Sequence, residues 1–291
     1  MESIGFIGTG VMGAAMAKNI LAKGYKVKVF NRTESKAAAL VAAGAEWLPS
    51  VKAVAAASAA VITMVSFPKD VEQVYLGPDG IIANAKPGTF VVDMTTSDPQ
   101  LAKKIAAAAR AQKLRPLDAP VSGGDVGAAK GALSIMVGGT KDDFAAFLPV
   151  FEAMGKKIVL LGPDGSGQQC KMANQIAIAA NIMGVCESLS YALKAGLDPE
   201  QVLDVLSSGG AASWQLSAYA PRIFANDMKP GFYVKHFIKD LRIAVKEARA
   251  MGIELPALEL AQSLYAKLAQ EGDENLGTQA LFNLYRENNA K

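Results

Sequence analysis

At 291 residues, 51% hydrophobic and 20% charged, the chain is long enough for two domains with cores of their own and too apolar for global disorder. Thirty Lys and Arg against 27 Asp and Glu leave a net charge of +3. The charges are interspersed, which argues against a nucleic-acid binder working through a basic stripe and leaves a small anionic substrate compatible. Cys170 and Cys186 cannot build a disulfide framework, and the single histidine, His236, cannot complete a Cys/His zinc site, so no metal is expected.

The start Met1-Glu2-Ser3 runs directly into Ile4-Gly5-Phe6-Ile7-Gly8 without the pattern of a targeting segment, and the apolar stretch 51–65 is interrupted by Lys52 and Ser58. The expectation is a cytoplasmic protein with no membrane partner. From residue 4 to about 160, short apolar runs alternate with Ala-rich helical segments, the pattern of a parallel sheet covered by helices on both faces. Strands are predicted at 4–7, 26–30, 60–64, 90–93, 115–118, 133–137 and 157–161. Helices are predicted near 10–23, 34–42, 51–56, 69–75, 99–113 and 141–153. The turn-forming cluster 162–167 marks a boundary. After it, 168–193 reads as one helix with almost no charge, apolar all round and therefore buried between domains or subunits. Residues 199–288 read as further helices. The predicted architecture is α/β: a doubly wound, Rossmann-type dinucleotide domain over 1–163, then an all-α domain over 164–291.

Gly8-Thr9-Gly10-Val11-Met12-Gly13 follows the first strand and opens the first helix. In that context G-x-G-x-x-G is a dinucleotide fingerprint: Gly8 permits the tight turn, Gly10 the approach of a pyrophosphate, Gly13 close packing of helix on strand. Past the second strand stands Asn31-Arg32-Thr33 rather than an acidic residue, which favours NADP, with NAD possible, because the guanidinium can pair with a 2′-phosphate and its neighbours can donate to it. The bland alternative is a solvated Arg32 on a turn capped by Asn31 or Thr33. Thr95 and Thr96, after the fourth expected strand of the parallel set, read equally as ligand contacts or as helix caps before Pro99. Ser122-Gly123-Gly124 reads as a nest of uncovered amides for an anion such as a carboxylate.

Lys171 and Asn174 share one face of the long apolar helix, with Gln175 beside it. Desolvation there would push a lysine toward neutrality and proton exchange, and the alternative is an interdomain lysine that snorkels or pairs with a carboxylate. In His236-Phe237-Ile238-Lys239-Asp240-Leu241 the histidine invites a general-base role, though a lone helical His is more often a packing residue; Lys239 can reach an anion and Asp240 can hold it or merely cap. Cys170 and Cys186 read as reduced core residues, and Met94, Trp214 and Phe232 as apolar anchors or pocket walls.

The segments 6–19, 118–124 and 167–174 with its Lys-x-x-Asn, together with Lys239-Asp240-Leu241, stand in order along essentially the whole chain. Together they resemble the β-hydroxyacid dehydrogenase family, which includes 3-hydroxyisobutyrate dehydrogenase, tartronate semialdehyde reductase and the glyoxylate and succinic semialdehyde reductases. The resemblance implies that Gly8, Gly10, Val11, Met12 and Gly13 bind cofactor pyrophosphate, and that Met64, Val65 and Thr96 border the nicotinamide. It implies that Ser122, Gly123 and Gly124 hold a substrate carboxylate, that Lys171 is the catalytic acid/base with Asn174 orienting substrate or lysine, and that Lys239 closes over cofactor and substrate. Asn31-Arg32 departs from NAD-using members and resembles the NADP-using branch. The implied enzyme is an NADP-preferring oxidoreductase acting on a small 3-hydroxy acid or its semialdehyde, as a homodimer or homotetramer. Two other classes are an imine reductase, which generally lacks the lysine, and a non-catalytic NADP-binding scaffold.

Overall fold

The structure, a computed structural model, describes residues 3–289. Two compact units divide between Lys171 and Met172. That division lies inside the helix that follows the Gly/Pro turn at 162–167.

The first unit runs β1 (Ser3–Ile7), α1 (Val11–Ala22), β2 (Lys26–Phe30), a 3-10 turn (Glu34–Ala37) leading into α2 (Ala38–Ala42), β3 (Glu46–Trp47), α3 (Val51–Ala57) and β4 (Ala60–Thr63). It continues through α4 (Pro68–Leu76), α5 (Ile81–Asn84), β5 (Phe90–Asp93), α6 (Pro99–Ala111), β6 (Arg115–Asp118), β7 (Val121–Ser122), α7 (Gly124–Ala129), β8 (Leu133–Gly138), α8 (Lys141–Phe151) and β9 (Gly155–Gly162). The sheet order is β3-β2-β1-β4-β5-β6-β8-β7, with β9 on β8. Strand order reverses at β1, so a crevice opens at the carboxyl ends of β1 and β4.

Strands β1 to β6 are parallel. The expectation of a wholly parallel sheet needs correction at its far side, where β8 runs antiparallel to β6 and β7. The only helix between β6 and β8 is α7, six residues or about 9 Å long. It is too short to carry the chain back along a strand, so β8 returns in the opposite sense. The central strands are apolar on both faces because helices cover both. Ile4, Phe6, Val29, Ile62 and Val92 pack with Met16 and Ile20 of α1 and Phe147 of α8. On the opposite face Ile7, Val61 and Val91 meet Val54, Tyr75 and Ile105.

The helix α9 (Ser166–Lys194) spans 29 residues and leads into α10 (Pro199–Ser208), α11 (Trp214–Phe224), α12 (Val234–Ala250), α13 (Pro256–Gln270) and α14 (Phe282–Asn289). Apart from an isolated bridge, Tyr233 to Gly277, the second unit holds no strand among the described residues. Its core joins Ile182, Cys186 and Leu189 of α9 to Phe237, Leu241 and Tyr265. By length and composition α9 could cross a bilayer, yet these apolar side chains lie in that core. Within one chain α9 is not covered all round: Ala177, Ala180, Asn181, Gly184, Glu187 and Tyr191 are exposed, the last at 77%. The outer stripe mixes small residues with Asn181, Glu187 and Tyr191, whereas the inner face is made of larger apolar side chains. Trp214 is no core anchor either; it is 60% exposed at the start of α11, edge-on to Tyr219.

Candidate active site

Where β1 ends, Gly8 turns the chain at φ +96°, and a Cβ there would strike the Met64 carbonyl. A Cβ on Gly13 would overlap the Gly8 carbonyl, whereas one on Gly10 would point into open space. The crowded glycines thus fix the loop and the open one exposes it. Helix α1 starts at Val11 with no side-chain cap, leaving its first amides and positive dipole end for an anion. Val11 is exposed there, while Met12 packs against the core. A cavity of about 470 Å³ is lined by Gly8, Gly10, Asn31, Arg32, Thr33, Met64 and Val65, joined by Lys36, Ser66 and Asp70. Uncovered glycine amides, cations on one side and the apolar Met64 and Val65 on another fit a dinucleotide.

The turn after β2 is held by Asn31, which accepts from the Thr9 amide (3.1 Å) and donates to the Thr33 carbonyl (2.9 Å). Asn31 therefore ties the glycine loop to the turn carrying Arg32 rather than capping a helix, and Thr33 makes no side-chain cap bond. The Arg32 side chain is 81% exposed, its Nη1 3.5 Å from Asp70 Oδ1. Asp70 is itself fixed by the Phe67 amide, which donates to Oδ2 at 3.2 Å. A phosphate in this cavity would meet Arg32 and Lys36, with Asp70 competing for the guanidinium.

On the sheet side, buried Asp93 accepts from Thr63 Oγ1 (2.8 Å) and the Thr95 amide (3.1 Å), and Thr63 shares a hydrogen with Tyr75. Burial pushes the Asp93 carboxyl up to about 6, against the hydrogen bonds from Thr63 and Thr95 that lower it. Thr95 is not a helix cap: its hydroxyl accepts from the Val65 amide at 2.9 Å, and the cap of α6 is Asp98. Asp118, at the end of β6, accepts from the Gly165 amide (2.7 Å) and the Gln168 amide (2.8 Å) and so anchors the first turn of α9. Burial holds its carboxyl above the ordinary range even so. One turn beyond Gln168 stands Lys171, only 7% exposed. Gly123 and Gly124, at φ +131° and +62°, follow half-buried Ser122 and open α7. Neither these nor Lys171 and Thr96 line the dinucleotide cavity. Met94 is wholly buried in the core rather than in a pocket wall.

In the second unit a polar chain runs through otherwise apolar packing. Asn174 donates to Gln175 Oε1 (2.7 Å), Gln175 donates to Asp240 Oδ2 (2.6 Å), and Asp240 Oδ1 lies 2.7 Å from Lys239 Nζ. Asp240 is 1% exposed, so it holds Lys239 rather than capping. His236 is half-buried, and burial, then Lys239 and Lys235, hold its imidazole below the usual value. Phe232 packs edge-on against Phe237. Cys186 is buried, its thiol pushed up by desolvation, and Cys170 is half-buried.

Residues 3–162 match the family model for the NAD binding domain of 6-phosphogluconate dehydrogenase, and residues 165–285 the one for NAD-binding of NADP-dependent 3-hydroxyisobutyrate dehydrogenase. The chain belongs to the NAD(P)-dependent β-hydroxyacid dehydrogenase family. An uncharacterized oxidoreductase of Bacillus subtilis is 55% identical over 98% of this chain and 99% of its own length. The NAD-dependent L-serine dehydrogenase of Pseudomonas aeruginosa is 39% identical over 94% of each. Among solved structures, Mycobacterium tuberculosis 3-hydroxyisobutyrate dehydrogenase with L-serine superposes with a TM-score of 0.89 at 31% identity, covering 98% of this chain and 99% of that one. A protein named Psf3, in complex with NADP+ and 2-OPP, gives 0.90 at 28%, covering 97% and 99%. An imine reductase from Pseudomonas sp., at 19% identity and 0.65, shares the fold alone.

Within this β-hydroxyacid dehydrogenase, sequence reading missed Lys36, Asp70, Asp93 and the carboxamide of Gln168. Lys36 had a usable signal, a cation one 3-10 turn past Thr33. The other side chains announce nothing until strands β4 to β6 bring their ends together.

Proposed function

We propose that the protein is an NADP-preferring, cytoplasmic oxidoreductase that interconverts a small 3-hydroxy acid and its semialdehyde, working as a homodimer or homotetramer. The observation that carries the cofactor reading is the cavity holding the open Gly10 together with Arg32 and Lys36, with no carboxylate directly after β2. The exposed large side chains Tyr191 and Leu193 at the end of α9, with Leu197 just beyond it, support self-association.

When bound, the nicotinamide supplies or accepts the hydride. In reduction, Lys171 Nζ donates a hydrogen bond to the semialdehyde oxygen, stabilises the negative charge developing there and delivers the proton. In oxidation the neutral amine removes the hydroxyl proton. Burial of Lys171 supports this role, because a hydrogen bond made away from water is electrostatically stronger than one made in it. The Ser122 hydroxyl and the amides of Gly123 and Gly124 hold the substrate carboxylate, supported by positive φ at both glycines. Asn174 orients substrate or lysine, and Lys239, fixed by Asp240, adds a cation for the anionic ligands.

The test is a panel in which 3-hydroxyisobutyrate and L-serine are run with NADP+ and NAD+, and glyoxylate, short semialdehydes and control cyclic imines with NADPH and NADH. Turnover of a hydroxy acid or semialdehyde with a higher kcat/KM for the phosphorylated cofactor is expected. Preference for NADH, or reduction of imines alone, refutes the reading.

A further inference from the structure

The segment 95–97, which follows β5, is held from several elements through Thr95. The Thr95 amide donates to Asp93 Oδ1 at 3.1 Å, its hydroxyl accepts from the Val65 amide at 2.9 Å, and its carbonyl accepts from Gln168 Nε2 at 2.7 Å. The same Gln168 carboxamide accepts from the Ser97 amide at 2.9 Å. It thus grips the peptide on both sides of Thr96 as a neighbouring strand would. Thr95, Ser97 and Gln168 are each 1% exposed or less, so no water substitutes for these partners. Gln168 is in turn fixed by its own amide on Asp118 Oδ2, at 2.8 Å, and Lys171 stands one turn further along α9.

A side chain packed for space alone would not need both ends of an amide matched. Here the oxygen meets a donor and the nitrogen an acceptor on one loop, so the carboxamide fixes the register between that loop and the first turn of α9. The loop carries Thr96 and touches Val65, which lines the dinucleotide cavity; the turn leads to the lysine. We propose that Thr95 and Gln168 are positioning residues: a buried clamp that sets the nicotinamide-side loop against the Lys171 turn and governs turnover rather than cofactor affinity. The proposal rests on the reading of Lys171 as acid/base. Its reasoning is that a displacement of about 1 Å between reacting groups costs on the order of 100-fold in rate, while the glycine loop and Arg32, which the clamp does not touch, supply most of the dinucleotide affinity.

The experiment compares Gln168→Met, which keeps length without the polar ends, Thr95→Val, which keeps shape without the hydroxyl, and the conservative Thr95→Ser. Hydrogen exchange of the cofactor-free protein is read first: the Ser97 amide should lose protection in Gln168→Met and the Val65 amide in Thr95→Val. With that established, kcat is expected to fall by roughly 10- to 100-fold with NADPH affinity, read from fluorescence titration, unchanged. Thr95→Ser should recover the turnover lost in Thr95→Val. Full turnover in a Gln168→Met protein whose Ser97 amide exchanges freely overturns the clamp, as does a loss of turnover that tracks a loss of NADPH binding. Lys171→Ala, run alongside, separates the two levels. If it keeps turnover, the acid/base reading has failed and the clamp stands on the exchange result alone, where a Ser97 amide still protected in Gln168→Met overturns it.

Discussion

Asp93 makes the folded state sensitive to pH in a direction opposite to most carboxylates. Its side chain accepts from Thr63 and the Thr95 amide, yet burial wins and lifts its pKa from 3.8 to about 6. A raised folded value means that the folded protein binds the proton more tightly than the unfolded chain. The resulting stabilisation is fully present below the unfolded pKa of roughly 3.9 and is lost as pH rises through about 6. A difference of about two units at 1.36 kcal/mol each gives about 3 kcal/mol. Asp118 is shifted in the same direction by burial, so the effect must be isolated by difference. Asp93→Asn retains an oxygen for Thr63 and Thr95 but cannot titrate. Urea unfolding of wild type and Asp93→Asn between pH 7.5 and 4 should therefore show wild type gaining most of this, about 2 kcal/mol, relative to the variant as pH falls. Parallel stability profiles would refute the claim that burial outweighs the hydrogen bonds at this carboxyl.

Replacing Arg32 by Asp should lower the ratio of kcat/KM for NADPH over NADH by roughly 10- to 100-fold, the worth of the lost charged hydrogen bonds; an unchanged ratio removes Arg32 from the cofactor argument. Lys171→Ala should cost about two to four orders of magnitude in kcat while His236→Asn keeps most activity, and the reverse result in steady-state kinetics would put a histidine mechanism in its place. Gly13→Ala sets a Cβ against the Gly8 carbonyl and should cost about 1–3 kcal/mol together with cofactor binding, measured by denaturation and titration. Asp240→Ala leaves Lys239 and Gln175 without their buried acceptor and should destabilise by about 3–5 kcal/mol, read from thermal melts of the whole chain.

Most of the sheet was legible because its determinants are local. Runs such as Val61-Ile62 and Val91-Val92 are apolar on both faces, and glycine spacing around Gly8 and Gly13 reports a backbone crossing that a Cβ would block. What failed was whatever depends on a partner remote in sequence. The reversed direction of β8 follows from the shortness of α7 and from pairing with β6 and β7, none of which hydrophobic period reveals. Hydropathy also scores Ala and Gly as apolar without weighing how little area they offer, so the pattern alone does not say which face of α9 the core of the second unit takes.

The site divides along the same line. Arg32 and the Ser122-Gly123-Gly124 segment lie next to strand ends, so chain order alone nominated them. Thr95 resisted assignment because a threonine before Asp98-Pro99 satisfies the rules for a helix cap equally well. The question turned on where the Val65 amide and the Gln168 carboxamide would stand, 30 and 73 residues away. Gln168 carries a further lesson: a buried polar side chain with every end matched is costly to assemble and uninformative by type. Its significance lies in what it joins, here a loop lining the dinucleotide cavity and the turn that leads to a buried lysine.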